Sequence, residues 1–283
     1  MAVTIIAEVG SNWGGRLDRA LDYVEAAAMV GADVVKFQTI RVDQLYASGY
    51  EPKSAIPELP DDWHFALKAR ADKLGIEFMS TPFYLDAVDL LERVGVQRYK
   101  IASGDITYRP LLQAVAQTGK PILLSTGACD MDDVREAVNF LKDCCSWNKV
   151  TLLHCVTRYP ASVDEMALRS MQYLRDCFGC AVGLSDHSLS NAVSIAAVGV
   201  GASVIEKHIT FDRRTPGPDH SFATTVDEFA ALVRDIRSVE AALGSYYKTP
   251  SPSEQGAAGR IRRNPGDWLR PNVREWLFEK GAR

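Results

Sequence analysis

The sequence lacks the long apolar runs of membrane proteins, since its 283 residues contain no stretch of about 18 uncharged apolar residues. No basic segment precedes the first apolar stretch, and Glu8 comes too early for a signal peptide. These absences predict a cytoplasmic protein with no membrane partner. The sequence also lacks a large excess of charge of either sign, because 32 Lys and Arg residues nearly balance 36 Asp and Glu residues. The resulting net charge of -4 predicts no nucleic acid partner.

Cysteine is sparse, and the six cysteines show no disulfide-scaffold spacing. In a chain of this length without a predicted signal peptide, we expect them to be reduced thiols. Cys177 and Cys180 form a single CxxC motif, whereas a structural zinc site would need a second pair of ligands. We therefore interpret the motif as a turn between a helix and a strand.

Short runs rich in β-branched residues alternate with stretches of helical apolar periodicity, an order typical of parallel βα repeats. The predicted strands are residues 4–10, 33–39, 77–82, 98–103, 121–126, 150–155, 181–186 and 203–210. Eight repeats exceed the usual content of an open doubly wound sheet, so the sequence predicts an α/β fold of the (β/α)8 TIM barrel type. We expect residues 1–244 to form this barrel, and residues 245–283 to form a linker and a short C-terminal extension.

Polar residues accumulate where the predicted strands end, which in a TIM barrel is the face that carries the chemistry. Lys36, Lys100 and Lys207 lie in otherwise apolar strands, and a buried ammonium group is costly unless an anion or an acid meets it. The three lysines predict either a phosphate or carboxylate ligand, or pairing with a carboxylate such as Glu206 beside Lys207.

Two histidines end neighbouring predicted strands. His187 and His208 are 21 residues apart, which is about the length of one βα unit, so both imidazoles are expected at the same end of adjacent strands. Either histidine alone would be a weak ligand candidate. Their common register predicts a metal site.

Nine sequence motifs follow one another along the chain. They are IAEVG (6–10), GADVVKFQT (31–39), STPF (80–83), KIASGD (100–105), LSTG (124–127), LLHC (152–155), GLSDH (183–187), IEKH (205–208) and PGPDH (216–220). In these motifs and their order, residues 4–244 resemble the catalytic barrel of the sialic acid synthase family, whose enzymes condense phosphoenolpyruvate with an amino sugar.

The resemblance implies roles for particular residues. His187 and His208 would bind a divalent metal, manganese first and magnesium or cobalt as alternatives. Glu8, Lys100 and Asp219 would be catalytic, and Glu8, Gln38 and Asp219 would face the metal, the water or the sugar. The residues expected to bind substrate are Lys36, Gln38, Thr81, Ser103, Ser125, Tyr159 and Ser185.

The resemblance also implies an activity, namely a phosphoenolpyruvate-dependent, aldol-type condensation with a sugar aldehyde. The products would be a 3-deoxy-2-keto sugar acid and phosphate, and the enzyme would be a transferase and a homodimer. The alternatives are a metal-dependent pyruvate aldolase or lyase on the same barrel, and a non-catalytic sugar-binding relic.

Three departures from the family pattern leave the acceptor open. Trp13 stands where the family usually has a histidine, and Thr157 stands where it often has an asparagine. Both positions are expected near the sugar. We also expect no counterpart of the family's C-terminal antifreeze-like domain in residues 245–283. Either this extension replaces that domain, or the acceptor differs.

Overall fold

The computed structural model describes residues 2–49, 56–256, 261–263 and 265–266. Contacts within the chain divide it into a unit of Met1–Leu243 and a unit of Gly244–Arg283. The assignment of residues 1–244 to a catalytic domain and of 245–283 to an extension stays a prediction.

Eight parallel strands form a ring within the described residues. They are β1 (Thr4–Glu8), β2 (Val34–Thr39), β3 (Glu77–Pro82), β4 (Tyr99–Ile101), β5 (Ile122–Ser125), β6 (Val150–Cys155), β7 (Ala181–Asp186) and β8 (Val204–Thr210). The order around the sheet is β3-β2-β1-β8-β7-β6-β5-β4, and β3 and β4 lie side by side at the remaining seam. The predicted TIM barrel is therefore confirmed. A further strand, β9 (Thr224–Thr225), pairs with β8; its two residues are too few to give a periodic signal in the sequence.

Helices follow the strands as the periodicity predicts. They are α1 (Leu17–Met29), α2 (Val42–Leu45), α3 (Asp61–Leu74), α4 (Asp86–Val94), α5 (Arg109–Gln117), α6 (Met131–Cys144), α7 (Arg169–Phe178), α8 (Asn191–Gly199) and α9 (Val226–Leu243). Helix α7 ends in Gly179 with left-handed backbone, and β7 begins two residues later. The CxxC motif thus spans a helix-to-strand turn, as interpreted. No helix of the described residues is both long enough and apolar enough to cross a membrane.

The barrel interior has an apolar floor. One inward-facing residue from each of six strands forms a buried cluster separate from the core beneath the helices: Ile6, Val34, Met79, Leu123, Leu153 and Val204. Gly183 of β7 faces the same layer. A Cβ atom there would lie 2.5 Å from the Val204 carbonyl oxygen, so the close approach of β7 and β8 requires glycine.

Candidate active site

A cavity of about 180 Å³ lies above the floor at the C-terminal ends of the strands. Because side chains alternate along a strand, the next inward-facing residue stands two positions after each floor residue. In all six strands that residue lines the cavity: Glu8, Lys36, Thr81, Ser125, Cys155 and Glu206. The other lining residues are Gln38, Phe83, Lys100, Ala102, Ser103, Gly104, Thr157, Tyr159, Ser185, His187 and His208. Every residue predicted from the sequence to be in the site is among them, except Asp219.

Lys36 is held by acids and a hydroxyl at the base of the cavity. Its Nζ lies 2.7 Å from Glu8 Oε2 and 3.5 Å from Glu206 Oε2, and it donates a hydrogen bond of 3.1 Å to Thr81 Oγ1. Gln38 donates to the other oxygen of Glu8 at 3.0 Å. Burial raises the pKa of Glu8 to about 7 although Lys36 opposes the rise. Glu8 therefore stands near the point where it can take up or release a proton at neutral pH.

Glu206 connects the second lysine to the first. Its Oε1 accepts hydrogen bonds from Lys100 Nζ at 3.1 Å and from Ser185 Oγ at 2.9 Å. Burial by itself would raise the pKa of Glu206, but Lys100 and Lys36 outweigh burial and hold that pKa below its usual range. Glu206 is therefore a fixed anion that compensates two buried ammonium groups.

The predicted pairing of Lys207 with the adjacent Glu206 is wrong. Consecutive strand residues face opposite sides, so Glu206 enters the cavity while Lys207 points toward the helices. There Lys207 Nζ lies 2.8 Å from Asp186 Oδ2. Glu206 is absent from the site predicted from the sequence. Its position two residues before His208, on the same face of β8, was the signal that could have found it.

Hydroxyl groups complete the wall near the lysines. Ser103 Oγ accepts a hydrogen bond of 2.8 Å from the Gly127 backbone N–H. Ser125 Oγ is buried and has no hydrogen-bond partner among the described residues. A buried hydroxyl without a partner is costly, so this oxygen marks a place where a ligand would supply the missing bond.

The two histidines lie together, with ring centroids 5.6 Å apart. His187 Nδ1 is 2.8 Å from the Val156 carbonyl oxygen, which only accepts hydrogen bonds, so Nδ1 carries the proton and the Nε2 lone pair is free. Burial lowers the pKa of His208 to about 3, and its Nδ1 has no hydrogen-bond partner among the described residues. Burial lowers the pKa of His187 as well, which favours the neutral form of both imidazoles, the form that binds a metal.

The donor set for a metal is partial. Within the described ranges no group of three His, Cys, Asp or Glu side chains converges to enclose an ion. The two neutral histidines suit a divalent metal only if other ligands, such as water or substrate oxygens, complete its coordination.

Aromatic rings cover the histidines from the solvent side. The Tyr159 ring lies 4.2 Å from the His187 ring and 4.9 Å from the Phe222 ring, and Phe222 lies 4.9 Å from His208. Tyr159 remains 50% exposed, whereas Phe222 is buried. Phe222 was missed in the sequence because it lies in an irregular segment after β8, where no periodicity assigns it a face.

Asp219 stands beside the metal candidates and outside the cavity lining. Its Oδ2 accepts hydrogen bonds from the Ser11 backbone N–H and hydroxyl, both at 2.8 Å. Gly10, with a φ of +54°, lies between Asp219 and His208: a Cβ there would be 2.5 Å from Asp219 Oδ2 and 3.2 Å from His208 Cε1. The glycine allows the carboxylate and the imidazole to approach the same backbone turn.

The two departures near the expected sugar end up in different places. Thr157 lines the cavity. Trp13 does not: it is buried in the core beneath the helices and packs edge-on against Trp63 at 5.8 Å. The expectation that Trp13 lies near the sugar is therefore wrong, because the turn after β1 directs this side chain toward α3.

A parallel barrel with two buried lysines, a buried hydroxyl that has no partner among the described residues, and two neutral histidines at its catalytic face defines an enzyme for a small anionic substrate. Residues 23–248 match the model of the NeuB family. The chain belongs to this family.

Named relatives agree with this assignment. The chain is 42% identical to N,N'-diacetyllegionaminic acid synthase of Legionella pneumophila, over 93% of this chain and 80% of the relative. It is 33% identical to pseudaminic acid synthase of Campylobacter jejuni, over 86% and 75%. The crystal structure of N-acetylneuraminic acid synthetase from Leptospira borgpetersenii, in complex with citrate, superposes with a TM-score of 0.85 at 34% identity, over 91% of this chain and 90% of that chain. The predicted membership among sialic acid synthase-like sugar acid synthases is confirmed.

Proposed function

We propose that the cavity binds phosphoenolpyruvate and condenses it with an open-chain sugar aldehyde. The observation that carries this proposal is the pair of buried lysines, Lys36 and Lys100, held on Glu206 at the base of the cavity. The named activities of the relatives, which are synthases of legionaminic and pseudaminic acids, support the same reaction class. The product would be a 3-deoxy-2-keto sugar acid.

Phosphoenolpyruvate suits this cavity because the lining offers both lysine point charges and hydroxyl groups. Lysine ammonium groups attract a phosphate without the rigid bidentate grip of arginine, which suits a phosphate that must finally leave. The hydroxyls of Thr81, Ser103 and Ser125 line the same cavity and can donate to phosphate or carboxylate oxygens, whereas the Ser185 hydroxyl, also in the lining, already donates to Glu206. Tyr159 closes the outer side of this pocket.

The reaction forms two bonds at phosphoenolpyruvate, from carbon 3 to the aldehyde carbon and from carbon 2 to a water oxygen, and breaks the bond from carbon 2 to the phosphate oxygen. Carbon 3 of the enol attacks the aldehyde carbon, and the aldehyde oxygen takes up a proton. Water then adds to carbon 2, and the tetrahedral intermediate expels phosphate to leave the keto group. Glu8 orients this water and accepts its proton, because its raised pKa matches neutral pH and Gln38 fixes its second oxygen. Asp219 holds a hydroxyl of the sugar.

His187 and His208 would hold a divalent metal, with manganese as the first choice and magnesium or cobalt as alternatives. Their neutral state and the free Nε2 of His187 support this assignment. A bound metal supplies Lewis-acid polarisation of the sugar aldehyde. Tyr159 and Phe222 lie against the histidine pair and limit its exposure to solvent. We also propose a homodimer, because the family resemblance implies one, and a cytoplasmic location, because the sequence predicts no signal peptide or membrane segment.

Phosphate release tests the reaction directly. The protein is mixed with phosphoenolpyruvate, Mn²⁺ and each of a panel of aldoses that includes amino sugars. We expect release that requires both substrates, and a keto acid product in equal amount. Cleavage of a keto sugar acid to pyruvate without phosphate would instead identify an aldolase. Binding of sugar without any turnover would identify a non-catalytic relic.

A further inference from the structure

A second buried ion pair lies on the outer faces of β7 and β8. Lys207 Nζ is 2.8 Å from Asp186 Oδ2, and the two side chains are only 2% and 0% exposed. Asp186 and Lys207 are register partners in the sheet, and each immediately precedes one of the paired histidines. Because neighbouring strand residues face opposite sides, the ion pair points away from the cavity that His187 and His208 enter. Within the described residues neither side chain hydrogen-bonds to an imidazole, so the contacts of the pair with the site run through the backbone.

Asp186 holds the chain on both sides of His187. Its Oδ1 accepts a hydrogen bond of 2.8 Å from the Ser188 backbone N–H, and its Oδ2 accepts one from the Ser194 hydroxyl of α8. The carboxylate thus closes a turn around His187. A shift of the Asp186 carboxylate would therefore shift the backbone of His187.

Lys207 connects that turn to the strand that carries His208. Its Nζ donates not only to Asp186 but also to the Ser188 carbonyl oxygen, at 2.6 Å. Both backbone groups of Ser188 are therefore attached, directly or through Asp186, to one ammonium group on β8. This ammonium group sets how far the His187 backbone stands from His208.

The energetics argue against a purely stabilising role. Taking two charges out of water is costly, and apolar residues of similar volume often stabilise a fold as well as a buried ion pair or better. A pair with so little exposure is therefore weak support for stability and well suited to fixing a geometry. The geometry at this place is the separation of the two histidines.

We infer that Lys207 and Asp186 are positioning residues that hold His187 and His208 at the separation a divalent metal requires. The inference rests on the proposed metal site. Loss of the pair would let the Ser188 turn move relative to β8, so the two imidazoles would no longer be preorganised. Groups that orient metal ligands in this way are worth about 10- to 100-fold in metal affinity.

The test separates positioning from stability with two variants. Lys207→Met leaves Asp186 buried without its cation and should lower stability as well as metal affinity. The double variant D186N/K207M removes both charges, so its stability should recover toward that of the wild type. Its affinity for Mn²⁺ should nevertheless stay about 10- to 100-fold weaker.

The control breaks another ion pair between strands. Arg98 Nη2 lies 2.8 Å from Glu77 Oε2 at the N-terminal end of β3 and β4, far from the histidines. Arg98→Met should change stability without changing Mn²⁺ affinity. Free Mn²⁺ is followed by electron paramagnetic resonance, and the visible spectrum of bound Co²⁺ reports the coordination geometry.

The possible results distinguish this inference from the proposed function. Wild-type Mn²⁺ affinity and an unchanged Co²⁺ spectrum in D186N/K207M would overturn the positioning role and leave the metal site standing. Absence of Mn²⁺ and Co²⁺ binding in the wild type would overturn the metal site itself, and this inference with it. If Lys207→Met does not fold, the double variant alone decides between them.

Discussion

Glu206 Oε1 accepts a hydrogen bond of 3.1 Å from Lys100 Nζ across the barrel. The two residues lie 106 positions apart, on strands β8 and β4, which are not neighbours in the ring. The same carboxylate stands 3.5 Å from Lys36. One acid thus contacts both buried lysines and holds them in place before an anionic substrate arrives, which is the preorganisation that electrostatic catalysis requires.

Glu206→Gln removes this charge while keeping the shape of the side chain. Breaking a buried ion pair costs about 3–5 kcal/mol, and we expect about 3 kcal/mol because the amide oxygen still accepts hydrogen bonds. Inorganic phosphate should stabilise the variant more than the wild type, since the anion replaces the missing carboxylate. Urea unfolding with and without phosphate measures both effects. A variant as stable as the wild type without phosphate would contradict the role of Glu206.

Lys100→Met removes one ammonium group and keeps its aliphatic stem. We expect the fold to survive and kcat/KM for phosphoenolpyruvate to fall at least about 100-fold, because a charge that binds the phosphate is lost. Circular dichroism checks the fold, and phosphate release measures the rate. Lys120→Met is the matched control, since Lys120 pairs with Glu92 outside the cavity. Near-normal activity of the Lys100 variant would eliminate the phosphate assignment.

Metal removal is expected to stop the reaction. Treatment with a chelator should abolish phosphate release, and added Mn²⁺ should restore it, because polarisation of the aldehyde needs the ion. His187→Ala should be inactive and should not recover with Mn²⁺ at the same concentration. Full turnover by the metal-free wild type would refute the metal assignment.

Gly10→Ala is expected to disturb Asp219 and His208 together. The new methyl group would stand 2.5 Å from Asp219 Oδ2, so the carboxylate must shift from its two bonds with Ser11. Gly14→Ala is a matched control, because Gly14 also has positive φ but has no atom within 4 Å of the added Cβ. Both variants should lose about 1 kcal/mol of stability from backbone strain. Only the Gly10 variant should lose activity; equal activities would show that the contact has no role.

Asp105→Asn tests a pH dependence of stability. Burial raises the pKa of Asp105 to about 6, and its Oδ2 has no hydrogen-bond partner among the described residues. The folded state therefore binds the proton more tightly than the unfolded state, so this residue destabilises the fold as pH rises from about 4 to 6, by about 2–3 kcal/mol. The variant should lack this decline and be more stable at pH 7. Unfolding curves at pH 4, 5, 6 and 7 measure the difference, and identical pH profiles would exclude the effect.

The order and the faces of the elements could be read from the sequence. Strand composition and alternation are local signals, so β3, β6 and β7 begin and end where the β-branched runs predict. Strand β9 was not predicted because its two residues are too few to show a pattern. The same two-residue period places Lys36 and His208 on the inner face. The same period also places Glu206 on the inner face, but the expected pairing with the adjacent Lys207 kept it out of the predicted site.

Only the tertiary structure decided which inward side chains meet. Strand alternation fixes a face but not a partner, because contacts across a closed ring depend on the tilt and stagger of strands that are far apart in sequence. Lys100 thus meets Glu206 across the cavity, and Lys207 meets Asp186 on the other side of the same sheet. Irregular segments carry still less local information. The sequence by itself determined the barrel and the residue types at its mouth, whereas ring closure and the turns after β1 and β8 decided that Trp13 enters the core and that Asp219 and Phe222 reach His208.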